Sequence, residues 1–104
     1  MKNPDYNPVQ YIEEVCGIYF RAVELLRAGD RIPQHAHDHD HASFVGRGSV
    51  VVRVNGEELG YFAAPKAIPI MAGAVHEFEA QEDNTLVCCV HNIESAESIK
   101  RKGL

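Results

Sequence analysis

The chain reads as an all-β protein, and three observations carry that reading. About eight short segments rich in Val, Ile, Tyr and Phe recur at regular spacing, with Gly, Asn and Pro clusters between them. Several alternate apolar and polar residues with a period nearer two than 3.6. Asn55-Gly56 lies between two such runs, and it is the strongest short hairpin signal because a type I′ turn needs positive φ at both central residues. At 104 residues the chain is one domain by size, residues 1–104.

The elements follow in order. Residues 1–10, with Asn3, Pro4, Asn7 and Pro8, read as an irregular arm whose Tyr6, Val9 and Tyr11 can pair with a sheet edge; residues 12–14 are ambiguous. Residues 18–27 are rich in strand formers and end at the turn Ala28-Gly29-Asp30. A helix over 23–28 is the alternative there. After a histidine-rich stretch, residues 42–45 lead to the turn Gly46-Arg47-Gly48, and 49–54 form a strand returned by 57–62 through Asn55-Gly56. Residues 67–70 make a short strand in which Pro69 is tolerable only at an edge or an irregular point. Residues 75–80 and 85–91 are two more strands, the second buried. Residues 94–104 are a C-terminal tail or a short helix that Ser95 can cap.

Composition excludes several functions. A formal net charge of −5 gives no attraction to phosphate backbones or anionic membranes, so nucleic acid and membrane are not expected partners. No apolar run approaches the ~20 residues of a membrane span. The N-terminus lacks the apolar core of a signal peptide, which points to the cytoplasm. Cys16, Cys88 and Cys89 do not suggest a disulfide framework; the adjacent pair point to opposite faces of a strand, and reduced thiols fit a cytosolic protein. Serine hydrolysis, nucleotide binding and dithiol redox chemistry find no motif.

Chemistry concentrates in Pro33-Gln34-His35-Ala36-His37-Asp38-His39-Asp40-His41. On an extended strand His35 and His37 share a face and can hold one ion; on a helix they diverge. Pro33 and the aspartates argue against helix. Imidazole is the commonest metal-binding side chain near neutral pH.

Glycines frame the stretch as Gly29-x5-His35-x-His37-x3-His41-x6-Gly48, and Gly73-Ala74-Val75-His76 follows downstream. Across residues 29–91 this resembles the two motifs of the cupin superfamily, Gly-x5-His-x-His-x3,4-Glu-x6-Gly and a second ending Pro-x-Gly-x2-His-x3-Asn. His41 stands where the first motif has a carboxylate, while Met71 and Ala80 stand where the second has Pro and Asn. The resemblance implies a small jelly-roll β-barrel (a double-stranded β-helix) whose interior holds a ligand or metal. It further implies a metal set of His35, His37, His41 and His76.

With imidazole at 41 the donors are all nitrogen, so no ligand carboxylate is there to take a proton from substrate. The cofactor implied is a divalent transition metal: Fe, Mn, Ni, Zn or Cu. Affinity order favours Cu, Ni or Zn over Mn at such a site in the test tube. Acid below about pH 6 is expected to release the ion, because the ligands must be neutral. His39 is expected to face solvent from the turn. Asp38 and Asp40 read as turn formers able to orient an imidazole. His91 is the candidate catalytic acid/base or a buried hydrogen-bonded residue, and Cys89 is either a cavity residue or core. Tyr19, Phe44, Tyr61, Met71 and Phe78 are candidates for an apolar pocket or for plain core.

Two functional readings stay open. One is an enzyme acting on a small oxygen-bearing molecule, dioxygenase-, isomerase- or lyase-like. The other is a non-catalytic, metal-dependent small-molecule binding or sensor module. A proton-transfer group among Glu77, Glu79 and His91 pointing into the cavity would favour the enzyme. The resemblance also implies a homodimer, with residues 9–20 as the segment that joins a partner.

Overall fold

The computed structural model describes residues 9–93, and the expectations for residues 1–8 and 94–104 lie outside them. The described residues form nine strands and no helix: β1 Val9–Val15, β2 Ile18–Leu25, β3 Arg31–His35, β4 His41–Arg47, β5 Ser49–Val54, β6 Glu57–Ala63, β7 Lys66–Ile70, β8 His76–Ala80 and β9 Thr85–Asn92. They assemble into a five-stranded sheet, β1-β2-β9-β4-β7, and a four-stranded sheet, β3-β8-β5-β6. Every pairing is antiparallel.

The expected jelly-roll double-stranded β-helix is present, as two facing sheets that are not closed into a barrel. The two sheets do not join at their edges. Two edge strands, β3 and β7, carry Pro33 and Pro69. A residue without an N–H is tolerated at a sheet edge and unsuited to a strand paired on both sides.

Alternation along each strand sets the core between the sheets. Val23, Leu25, Val45, Ile68, Ile70 and Val87 come from one sheet; Ile32, Val50, Val52, Phe78 and Ala80 come from the other, all at 3% exposure or less. Each larger apolar side chain buried this way stabilises the fold by about 1.5–3 kcal/mol.

Two hairpins turn on paired residues of positive φ. Asn55 (52°) and Gly56 (82°) connect β5 to β6 as expected, and Cys16 (54°) and Gly17 (75°) connect β1 to β2. The second turn explains why the first strand is hard to read: Cys lacks the local hydrogen bonding that makes Asn tolerant of this region. As a result β1 begins at Val9, inside the segment expected to be irregular, and takes in residues 12–14. The helical alternative over 23–28 is not adopted, because Val23 and Leu25 lie on the buried face of β2.

Candidate metal centre

β3 is not a uniform strand. Ile32 pairs with Phe78 and His35 pairs with His76, so Pro33 and Gln34 together oppose Glu77 in a β-bulge. The extra residue changes which face His35 presents. Ile32 and His35 are an odd number of positions apart, yet both turn inward, as re-aiming by a bulge allows. Pro33, which has no N–H to give the ladder, sits at this break.

His37 lies beyond the end of β3, in the loop before β4. The loop is tied to the turn that precedes His76. The Gly73 N–H donates to the His37 carbonyl (2.8 Å), and the Ala72 N–H donates to Asp40 Oδ1 (2.7 Å). The β5–β6 hairpin braces the same turn: Asn55 N–H donates to the Val75 carbonyl (2.6 Å), and Val75 N–H donates to Asn55 Oδ1 (3.0 Å).

These ties bring the imidazoles together. His35, His37 and His76 each offer a ring nitrogen, and these lie within 4.8 Å of one another. Ring centroids are 4.1 Å apart for His35 and His76, 4.9 Å for His35 and His37, and 5.6 Å for His37 and His76. His41 is not part of this tight trio, but its buried ring stands 5.1 Å from those of both His37 and His76.

Hydrogen bonding prepares two of the trio as ligands. His35 Nδ1 bonds the Pro33 carbonyl (2.7 Å) and His76 Nδ1 bonds the Ala74 carbonyl (2.9 Å). A carbonyl only accepts, so each Nδ1 carries the proton and each Nε2 keeps its lone pair. Both Nε2 atoms are buried without a partner, as are both ring nitrogens of His41. Unsatisfied buried acceptors are costly, and a cation would supply what they lack. The donor set therefore fits a metal ion. Burial, reinforced by neighbouring imidazoles, lowers the pKa of His37 and His41 to about 4, and burial lowers that of His76. The rings are neutral at pH 7, the form that binds metal.

His39 corrects an expectation. It is only partly turned to solvent: its side chain is 33% exposed, but its ring stacks 5.1 Å from His37 and lies 4.0 Å from His91, with its Nε2 buried. Asp38 Oδ1 holds its Nδ1 at 3.2 Å. The signal was the unbroken every-second spacing from 35 to 41. His91 shares the inner face with Cys89 and stacks on Tyr19 at 4.8 Å. Glu77 and Glu79 bind Arg31 and Arg53 on the opposite face of their sheet, away from the imidazoles. Cys89 is core: burial raises its thiol pKa, and its Sγ lies 3.7 Å from Ser43 Oγ.

The expected pocket residues scatter. Phe78 is core, Tyr61 and Phe44 are exposed on outer faces, and Tyr19 abuts His91. Met71 does line a cavity of about 330 Å³ with Val54, Leu59, Ile70 and Ala74. Val54 and Ile70 are ladder partners of His76 and His41, but Asn55 and Pro69 complete the wall and no histidine lines this cavity. A larger space of about 540 Å³ is bordered by His41 and His91, but Ile18, Ala42, Pro69 and Val90 in its wall belong to the outer face of the sheet.

Two facing antiparallel sheets with an imidazole cluster between them define a double-stranded β-helix protein able to hold a metal ion. The solved structures it is similar to share that fold. KdgF from Halomonas sp. superposes with a TM-score of 0.71 at 19% identity, over 91% of this chain and 93% of that one. A cupin superfamily protein from Desulfitobacterium hafniense gives 0.71 at 7% identity, over 90% and 84%. A cupin-2 domain protein from Shewanella frigidimarina gives 0.64 at 18%, over 88% and 84%. The fold is thus that of the cupin superfamily. No protein-family model and no curated protein matches the chain.

Proposed function

We propose that this chain is a single-domain, metal-dependent cupin that binds one divalent transition metal and takes a small oxygen-bearing molecule at it. The observation that carries this reading is the trio His35, His37 and His76, two of whose Nε2 atoms are buried, lone-paired and otherwise unpartnered. His41 adds a fourth imidazole. All-nitrogen donors favour Cu, Ni or Zn over Mn. When bound, the ion supplies Lewis acidity or an activated water. The chain's own residues orient two of the donors through the Pro33 and Ala74 carbonyls, and a cavity of about 330 Å³ that holds Val54 and Ile70, ladder partners of His76 and His41, is within the size range of small-molecule sites.

His91 supports the catalytic form of this reading, because its ring is on the inner face and its Nδ1 is engaged by the Asn92 carbonyl (2.7 Å), leaving the lone pair of Nε2 either to accept a proton or to bind an ion. Among the described residues no carboxylate joins the trio, and Glu77 and Glu79 are held by arginines on the outer face, which supports the alternative of a binding or sensor module. Elemental analysis of the natively purified protein, with a thermal-shift screen of small keto, hydroxy and carboxylic acids, tests both. Stoichiometric metal and a ligand that requires it are expected. Metal-free protein that gains no stability from added Zn, Ni or Cu would end the reading.

We also infer a homodimer in the cytoplasm. Val9, Tyr11 and Val15 of β1, each about half exposed, share an outer face with Ile18 and Phe44. Three free cysteines suit a reducing compartment.

A further inference from the structure

We propose that the array holds a second divalent ion, on His39 and His91 with His41 between the two sites. The inference rests on the metal reading above and extends it to the histidines that reading leaves unused. All six histidines of the chain belong to one continuous array, joined between its two halves by the stacking of His37 on His39. His39 and His91 reproduce the features that mark the first site. Their ring centroids are 4.0 Å apart, against 4.1 Å for His35 and His76. Each has Nδ1 engaged by an acceptor, the Asp38 carboxylate for His39 and the Asn92 carbonyl for His91. The lone pair is thereby left on Nε2, and that of His39 is buried without a partner.

His41 supplies the link. Both of its ring nitrogens are buried and unpartnered, so it has two donors to give. Its ring stands 5.1 Å from His37 and His76 on one side and 6.1 Å from His39 on the other. A neutral imidazole offers one lone pair and one N–H. Binding ions at both nitrogens sends that proton to water, so loading the second ion releases one proton. Among the described residues only His35, His37 and His76 gather three donors within 4.8 Å of one another, so the second site is the looser and fills after the first.

Titration of the metal-stripped protein with zinc at pH 8, followed by calorimetry in buffers of different ionisation enthalpy and by elemental analysis after desalting, tests this. Two equivalents are expected for the wild type, the second with release of one proton. His91→Gln, at the accessible end of β9, and His39→Asn should each weaken the second equivalent by at least about tenfold and leave the first within about threefold, the scale on which orienting and ligand changes act. One equivalent in the wild type overturns the second site and leaves the first intact. Two equivalents that survive both substitutions overturn it as well. No zinc at all means that the metal reading beneath it has failed. Retention of the first equivalent by each variant shows that the variant is folded.

Discussion

His35 and His76 are ladder partners across β3 and β8, and their rings meet 4.1 Å apart, centroid to centroid. Both Nδ1 atoms are committed to backbone carbonyls, so both Nε2 atoms are ligands in waiting. His35→Ala and His76→Ala should each lower zinc affinity by more than about 100-fold, beyond the 10–100-fold that second-layer partners contribute. Calorimetric titration reads this directly, and a loss under tenfold in either variant would show that the ion sits elsewhere.

Acid should release the ion later than free imidazole would. With His37 and His41 at about 4, and His76 also lowered, these three imidazoles stay neutral well below pH 6.5. Metal is expected to be retained at pH 5 and lost near pH 4, lower than the pH 6 read from the sequence, which took no account of burial. The sign for the metal-free protein follows from the same shifts. The unfolded chain binds protons at these rings from about pH 6.5 downward while the folded chain does not, so stability is complete above 6.5 and falls toward pH 4. Thermal melts of stripped protein from pH 7.5 to 4 check it; a flat midpoint would contradict the buried, neutral state.

Gly48 should tolerate no side chain. A Cβ there would lie 2.2 Å from Thr85 Oγ1 and 2.9 Å from Thr85 Cα, at φ +80°. Gly48→Ala is expected to cost about 2–4 kcal/mol by combining overpacking with backbone strain. Gly56→Ala, at φ +82° with nothing within 4 Å, should cost only about 1 kcal/mol. Urea unfolding of the two variants separates these causes.

Asp40 acts on the site through the backbone. Its carboxylate accepts from the Ala72 N–H in the turn before His76, so Asp40→Ala should loosen the loop and weaken metal binding about tenfold with little change in stability. Hydrogen exchange at Ala72 and a zinc titration check both halves.

Association should depend on β1. Tyr11→Lys and Val15→Lys place charge on the exposed apolar face, and light scattering should show the dimer shifting to monomer. A wild type that runs strictly as a monomer removes the dimer.

Much of this was legible in the residues because local chemistry and tertiary structure agree. Asn55-Gly56 turns a hairpin, Pro69 lies in an edge strand, and the alternation of β5 and β9 puts Val50, Val52 and Val87 inside. What failed depended on relations between distant strands. Parity along a single strand cannot show that His37 leaves β3 and is fixed by Gly73, or that His39 is drawn inward against His91. Aromatic character does not tell an inner face from an outer one, which is why Tyr61 and Phe44 were candidates for a pocket they do not line. Nor does it disclose whether two sheets close.

The bulge at Pro33 and Gln34 gives β3 one residue more than its partner β8 needs between Ile32 and His35. Deleting Gln34 would remove no ligand and no core residue. It would restore even pairing from Ile32 onward and leave His35 two positions from Ile32, facing inward opposite His76 by plain alternation. A single in-frame codon loss at this point is therefore the one length change along β3 that the imidazole pair His35 and His76 should survive.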